Sequence, residues 1–239
     1  MAENKTAFDS FLEWLKANLY IGVGKSLLLW FLAIAFVPLL AVSVINYLYA
    51  YLGLNVVAEK TVVTTSQLRV KYLNTFFRET ADFLEAQSSL PEKTLFLKEL
   101  NSAKENFEST GEFVRSTGWK RITESKDIYF ETLLQKEGFY DVYFIDKKGD
   151  IIYSLKEEYD LGTNIFSGKF ALTLFGKTAR EVKEKNKTLF SDLEIYSPSF
   201  DLLSGFFIAP LREDSKPTGL MAVQINTERI NDILQDDVG

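Results

Sequence analysis

Apolar and polar positions alternate along most of this chain of 239 residues, but near its start the apolar positions form one unbroken segment. No charged residue occurs between Lys25 and Glu59. Because about 20 apolar residues cross roughly 30 Å of hydrocarbon, residues 26–52 are predicted to form a transmembrane helix. The alternatives are a cleaved signal peptide, whose apolar core is shorter than this segment, and a buried core helix.

The residues before this segment predict an amphipathic helix. Between residues 3 and 20 the apolar side chains recur at spacings of three and four, with charged and amide side chains between them. Residues 1–25 are therefore expected to form a cytoplasmic amphipathic segment at the membrane surface, or an extension of the span. Large domains are translocated largely regardless of charge, which favours a cytoplasmic N-terminus with the remaining chain outside.

The pattern after the span predicts a helical region over residues 53–136. Residues 56–89 contain neither proline nor glycine and carry an apolar stripe, and Pro91 is expected to end the helix that they form. A second helix is expected to end at Gly118, and a third to cover residues 125–135. Sustained heptads are missing, so the sequence predicts a short helical bundle rather than a coiled coil.

Beyond this region the apolar positions recur with a period of two, which is typical of strands. Residues 140–145 alternate as a strand buried mainly on one face does, and residues 146–149 form a turn before the next strand. A helix is expected over residues 169–186. Further strands are expected over Thr188 to Tyr196, Gly205 to Leu211 and Gly219 to Ile225. The sequence thus predicts an α+β fold with a mainly antiparallel, five-stranded sheet and helices on one side.

Composition excludes several kinds of chemistry. A hydrophobic content of 46% is normal for a folded chain. The sequence has no cysteine and no histidine, so disulfides, metals held by thiolates or imidazoles, and histidine acid–base catalysis are excluded. The net charge of −6 disfavours nucleic acid as a partner. We expect neither enzymatic activity nor a cofactor.

An acidic run lies within and after the first predicted hairpin. It consists of Asp146, Asp150, Glu157, Glu158 and Asp160. A calcium-binding EF-hand requires an acidic or amide side chain at its third position and glycine at its sixth, whereas this chain has Lys148 and Ile151 there. A glycosidase pair is disfavoured because these acids are expected in turns. The sequence therefore assigns the run to turns and surface, and no metal site is predicted.

Five segments of the chain carry a family resemblance when taken in order. They are AIAFVPLLAVSVINY, YDVYFIDKKGDIIYSLKEEYDLGTN, FSDLEIYSPS, FFIAPLRED and GLMAVQINTERINDIL. Together they resemble the sensory region of bacterial methyl-accepting chemotaxis proteins and related transmembrane receptors, which have Cache-type, PAS-like extracytoplasmic domains. The resemblance covers most of the chain and implies that residues 137–239 form such a sensing domain.

The same resemblance implies a function and a location. It implies a sensory domain anchored in the bacterial inner membrane, which relays ligand binding by helix displacement and forms a homodimer through its membrane-proximal helices. Members of the family continue into a second sensing module and an output domain, so the chain is expected to be a truncated receptor. The alternatives are the sensor part of a histidine kinase or cyclase, and a non-catalytic, membrane-anchored interaction protein.

The resemblance also suggests which residues contact a ligand, because the pocket of a Cache-type domain lies between the sheet and the loops that cross it. The polar and aromatic residues in the corresponding segments are Tyr143, Tyr153, Asp192, Tyr196, Ser199 and Phe207. An aromatic box with one carboxylate suits a small amine or amino acid, through cation–π attraction and charge-assisted hydrogen bonds. The competing interpretation is that the aromatic residues are core and the polar ones form turns.

Overall fold

The computed structural model describes residues 9–10, 13–14 and 23–235, except for the side chains of residues 53–59, 226, 229, 233 and 234. The chain divides into two compact units with a boundary after Thr64. The helix α1, Val23–Ser88, contributes to both units. The amphipathic helix predicted over residues 3–20 lies almost wholly outside the described residues.

The N-terminal part of α1 has the properties of a membrane span. Among the described residues, Val23–Leu52 is the one stretch whose length and composition suit a bilayer crossing, and its side chains are not buried within the structure. This exposure differs from that of a core helix in a soluble domain, where the apolar side chains are covered by neighbouring elements.

The unit that begins at Thr65 contains a sheet and helices. Its helices are α2 (Pro91–Lys104), α3 (Thr110–Phe113), α4 (Thr117–Glu137), α5 (Leu174–Lys185) and α6 (Thr227–Gln235). Its strands are β1 (Asp141–Asp146), β2 (Ile151–Ser154), β3 (Leu189–Tyr196), β4 (Leu202–Glu213) and β5 (Lys216–Asn226). The strands form one sheet in the order β2-β1-β5-β4-β3, with every pair antiparallel. The predicted α+β class and five-stranded antiparallel sheet are confirmed.

Helices cover both faces of this sheet, so the prediction of helices on one side is wrong. One face, which we call the helix face, packs against Leu84 of α1, against α2 and against α4. The other, which we call the loop face, packs against α5 and against the segment of residues 155–173. As a consequence all six residues of β1 are buried, whereas the alternating pattern predicted burial mainly on one face.

Helix capping explains where the helix boundaries differ from the predictions. Ser116 accepts a hydrogen bond from the backbone N–H of Trp119 at 3.1 Å, so α4 begins at Thr117. Gly118 therefore lies in the first turn of α4 and does not end a helix. In the same way Thr173 accepts from the N–H of Gly176, and α5 begins at Leu174 rather than at Lys169.

The β4–β5 hairpin is longer than the predicted strands because its turn needs only two residues. Asp214 and Ser215 both have positive φ, of 46° and 67°. Positive φ at both central residues is the geometry that matches the twist of two antiparallel strands. The strands consequently extend to Glu213 and from Lys216, so Pro217 lies within β5.

Candidate functional site: a buried polar cluster on the loop face

The loop face carries a cluster of buried polar side chains where β5, β3 and the segment after β2 meet. We call it the loop-face cluster; it consists of Tyr143, Glu158, Asp160, Tyr196, Ser199 and Gln224. Glu158 is partly exposed, and the other five are buried. Buried polar groups normally have hydrogen-bond partners. A group in the cluster without a partner therefore indicates a position that a ligand could fill.

Asp160 is the member of this cluster with an unfilled hydrogen-bonding position. Its side chain is fully buried, and its Oδ2 accepts from the Tyr196 hydroxyl at 2.7 Å. Its Oδ1 has no hydrogen-bond partner, and no other buried side-chain polar atom among the described residues is in that state. Burial raises the pKa of the Asp160 carboxyl to about 6; the negative charge of Glu158 also raises it, whereas the Tyr196 hydrogen bond and the nearby backbone N–H groups of Asp160 and Leu161 lower it.

The rest of the cluster is connected through Gln224, in the centre of the sheet. Its Oε1 accepts from the Tyr143 hydroxyl at 2.8 Å, and its Nε2 donates to Ser199 at 2.9 Å and to Ser204 at 2.8 Å. Ser199 in turn donates to Glu158 Oε2 at 2.6 Å. These bonds tie the segment after β2 to β5 and to the β3–β4 connection.

The other oxygen of Glu158 anchors the segment to the start of the sheet. Glu158 Oε1 accepts from the Tyr140 hydroxyl at 2.8 Å.

Asp141 Oδ1 accepts from the backbone N–H groups of Val142, Leu155 and Lys156, and its Oδ2 accepts from Ser154 at 2.6 Å. Burial raises the pKa of the Asp141 carboxyl to about 7. Asp141 therefore holds the exit of β2, from which the segment that carries Asp160 begins.

Aromatic rings pack around Tyr196, the hydrogen-bond partner of Asp160. Phe175 stacks on Phe206 with ring centroids 4.0 Å apart, and Phe206 meets the edge of Tyr196 at 4.9 Å. Phe170 lies 6.0 Å from Tyr196 on the side of the covering segment. Ring faces beside a carboxylate attract organic cations.

The cluster has an excess of negative charge. The cluster contains the carboxyl groups of Glu158 and Asp160, and the carboxyl group of Asp141 is close enough to Asp160 to interact with it electrostatically. None of the three forms an ion pair with a described lysine or arginine. Lys169 Nζ lies 5.0 Å from the centre of the Tyr159 ring and 5.2 Å from that of the Phe170 ring. A positively charged group is thus the chemical complement that the cluster lacks.

The structure brings together three of the six residues that the sequence suggested for ligand contact. Tyr143, Tyr196 and Ser199 belong to the loop-face cluster. Tyr153 and Phe207 face the opposite side of the sheet, among the residues packed against the helices. Ligand contact for all six residues stays a prediction.

Asp192, the sixth suggested residue, lies away from the cluster. It is exposed, sits at an irregularity in the pairing of β3 with β4, and has a φ of 66°. Its Oδ1 accepts from the N–H of the next residue, Leu193, at 2.8 Å. The side chain thus serves the local turn.

Sequence reasoning missed Asp160, Glu158 and Gln224. Asp160 belongs to the acidic run that was assigned to turns and surface, and that assignment is wrong for it because its side chain is fully buried. The available signal was Gln224, a lone polar residue within the apolar run from Gly219 to Ile225. A polar side chain in the middle of a buried strand requires partners from elsewhere in the chain.

The other acids of the run have structural partners. Asp146 is also buried rather than exposed, and it forms an ion pair with Lys104 of α2. Lys104 reaches Asp150 as well, at 3.0 Å, and Asp150 accepts from Thr110 and Asn164. Among the residues that the structure describes, no group of three or more acidic side chains is arranged to hold a metal ion.

Comparison with known proteins gives structural likenesses at low identity. Neither a protein-family model nor a curated protein matches this chain. The sensor domain of the Vibrio cholerae histidine kinase DctB is 15% identical with a TM-score of 0.45, over 74% of this chain and 61% of that domain. The chain thus spans about three fifths of the length of that sensor domain.

Two chemoreceptor domains are similar to a comparable degree. The ligand-binding domain of Pseudomonas aeruginosa PAO1 PctC, in complex with GABA, is 14% identical with a TM-score of 0.40, over 77% of this chain and 65% of that domain. The ligand-binding domain of Campylobacter jejuni Tlp3, in complex with L-valine, is 14% identical with a TM-score of 0.37, over 72% of this chain and 68% of that domain. Likeness at this level assigns no function to this chain.

Proposed function

We propose that this protein is a membrane-anchored extracytoplasmic sensory domain, and that its loop-face cluster binds a small molecule with a protonated amine. The observation that carries the proposal is the fully buried Asp160, whose Oδ1 has no hydrogen-bond partner. A buried, incompletely paired carboxyl group is costly. An ammonium group placed at Oδ1 would donate a charge-assisted hydrogen bond and neutralise the site.

The surroundings of Asp160 favour an amine over other small molecules. An anionic ligand would meet the carboxyl groups of Glu158 and Asp160, and no described lysine or arginine forms an ion pair with either of them. A neutral apolar ligand would leave Oδ1 without a partner. A primary amine with a short apolar body satisfies Oδ1 and also places its charge beside the rings of Tyr196 and Phe206.

Binding requires the covering segment to open, because Asp160 has no solvent exposure. Residues 155–173 cover this face of the sheet as turns, without a helix or strand longer than an isolated bridge. Segments of this kind open at lower free energy than packed strands. The ligand would then select the closed arrangement, in which Asp160 meets Tyr196.

A path for the signal runs through neighbouring residues on opposite faces of β4. Phe206 lies on the loop face beside Tyr196, and Phe207 lies on the helix face, 5.7 Å between ring centroids from Phe77 of α1. A ligand that moves Phe206 therefore displaces Phe207 and, with it, α1. Packed helices respond to such changes by small slides, and α1 continues into the stretch predicted to span the bacterial inner membrane. A homodimer through residues 60–90 is part of the same proposal.

A thermal-shift screen of the full chain in lipid nanodiscs tests the ligand class. The panel contains primary amines, amino acids, carboxylates and nucleobases, at pH 8. A ligand at a hundred times its Kd stabilises the folded state by about 2.7 kcal/mol, which corresponds to roughly 5 °C or more in Tm for a domain of this size. We expect such shifts from amine-bearing compounds.

Two variants make the screen specific for the site. Asp160→Asn removes the charge and should abolish the shift, whereas Asp214→Asn changes an exposed carboxylate in the β4–β5 turn and should keep it. Silence across all amines in the wild type, or an equal shift in Asp160→Asn, would rule out the proposed site.

A non-catalytic interaction protein is the second candidate, and one observation favours it. Apolar side chains are exposed at the β3–β4 connection, where Phe200 is 84% and Ile195 70% exposed. Exposed apolar patches often mark protein interfaces. Cross-linking in membranes separates the two functions: a self-contained sensor gives homodimers through residues 60–90, and an interaction protein gives a product with another protein.

A further inference from the structure

A cavity lies on the helix face, between the first turn of α2 and the middle of α4. Its volume is about 150 Å³, and it is lined by Glu92, Lys93, Lys126 and Tyr129 among others. The loop-face cluster lies on the opposite side of the sheet, so the two sites share no residue. A volume of this size accommodates a small carboxylate.

Lys93 is the unusual residue of this cavity, because lysine is rarely buried. Its side chain is 4% exposed. Its Nζ lies 4.0 Å from the centre of the Tyr129 ring and 5.3 Å from that of Phe130. Phe130 in turn packs against Phe144 of the sheet. The ammonium group thus lies between the partly exposed ring of Tyr129 and the buried ring of Phe130.

The carboxylate that pairs with Lys93 comes from the adjacent residue and faces solvent. Glu92 Oε1 accepts from Lys93 Nζ at 2.8 Å, and the Glu92 side chain is 60% exposed. An ammonium group has three donors, and Glu92 is the one hydrogen-bond acceptor found for them among the described residues. An exposed side chain bonded to its chain neighbour is readily replaced by another carboxylate.

Lys126 acts on the same position from the other helix. The hydrogen bond from Lys93 and its charge lower the pKa of Glu92, and the charge of Lys126 on α4 lowers it further. The positive potential of two lysines therefore converges where the Glu92 carboxylate now lies. Glu92 occupies the position that an external anion would take.

We propose that this cavity is a binding site for a small carboxylate, which displaces Glu92 from Lys93. The apolar body of the ligand would rest against Tyr129 and its carboxylate would accept from Lys93. Because Phe96 and Phe130 line the cavity and also contact the sheet, an occupant stabilises the packing of α2 against α4. The site therefore gives a second input to the helix face, independent of the loop-face cluster.

The test uses sodium acetate with the full chain in nanodiscs, against sodium chloride at equal ionic strength. Thermal shift gives the apparent acetate affinity for the wild type and for three variants. Glu92→Gln weakens the internal competitor, since a neutral amide bonds an ammonium less strongly than a carboxylate does, and should tighten acetate binding about tenfold. Lys93→Met should abolish binding, and Lys98→Met, an exposed lysine on the same helix, should leave it unchanged.

The direction in which Glu92→Gln changes the acetate affinity tests the proposed site even if Lys93→Met fails to fold. A gain in affinity supports the site. No acetate-specific shift in the wild type, or equal affinity in the wild type and Glu92→Gln, would overturn it. None of the three variants touches Asp160, so the result is separate from that of the amine screen.

Discussion

At the scale of single residues, the pair of Asp160 and Tyr196 holds the most unusual chemistry of the described chain. The Tyr196 hydroxyl satisfies one oxygen of a fully buried carboxyl group and leaves the other without a partner. A protonated Asp160 suffers less from burial than an ionised one. The folded state of the ligand-free protein therefore binds the Asp160 proton more tightly than the unfolded state does.

This difference predicts how stability depends on pH. The pKa of Asp160 is raised from 3.8 to about 6 in the folded state. The raised pKa therefore adds to the free energy of unfolding below pH 4. This contribution is lost as the pH rises from 4 to 6, and the free energy of unfolding falls by on the order of 3 kcal/mol. Asp141 contributes a similar fall that extends to higher pH, because its pKa is about 7.

Asp160→Asn isolates the contribution of this residue. An amide cannot ionise, so the variant should lack the decrease in the free energy of unfolding that Asp160 causes between pH 4 and pH 6. Denaturation of the full chain, followed by circular dichroism from pH 4 to pH 8, measures it. Curves for the wild type and the variant that run parallel would show that Asp160 titrates normally. Glu158 and Tyr196, which face Asp160, remain in both proteins.

At the scale of elements, the pairing of β1 with β5 depends on a residue without a side chain. Gly219 lies opposite Asp146 in β1. A Cβ added to Gly219 would come within 2.5 Å of the backbone oxygen of Ile145 and of a methyl group of Leu97. Because backbone cannot move aside as a flexible side chain does, the close approach of α2 to β1 and β5 requires glycine here.

We therefore expect Gly219→Ala to destabilise the protein by about 1 to 3 kcal/mol through overpacking. Gly118→Ala is the matched control, because its Cβ would meet its nearest neighbour, the Ser116 hydroxyl oxygen, at an ordinary 3.5 Å. In the first turn of α4 that change should be neutral or stabilise by up to about 1 kcal/mol. Urea denaturation measures both, and an equal cost for the two changes would contradict the packing argument.

Local signals were sufficient for the hairpin of β1 and β2. Asp146 Oδ1 accepts from the N–H groups of Lys148 and Asp150, and Gly149 has a φ of 98°, as the turn pattern predicted. The mainly antiparallel class of the sheet was also predicted, from its hairpins, whereas the order of its strands was not, because β5 pairs with β1 across a long sequence separation. The boundary at Gly118 was missed because a serine cap two residues earlier, and not the glycine, decides where α4 begins.

The candidate site was only partly predictable, because its partners are distant in sequence. Tyr143, Tyr196 and Ser199 were found from their segments. Asp160 became recognisable only through Tyr196, 36 residues later, and the sequence gives no register between them. The burial of β1 on both faces was likewise hidden, since Asp141 and Tyr143 reach their partners through tertiary contacts.

At the scale of the whole molecule, the two proposed sites lie on opposite sides of the sheet and differ in charge. On the loop face one oxygen of the buried Asp160 carboxyl group lacks a hydrogen-bond partner, and on the helix face Lys93 is a buried lysine. Both faces contact residues of β4 and β5, the two longest strands. Under the two proposals, an amine would act through the loop face and a carboxylate would adjust the response through α2 and α4.

Calorimetric titration of the full chain with the amine that gives the largest thermal shift tests this account most directly. At pH 8 Asp160 is ionised and binding should be at its tightest. At pH 5, about one unit below the pKa of Asp160, the affinity should fall about tenfold, while a primary amine stays charged at both pH values. Asp160→Asn should show no binding at either pH. Equal affinity at the two pH values, or retained binding in Asp160→Asn, would contradict the account.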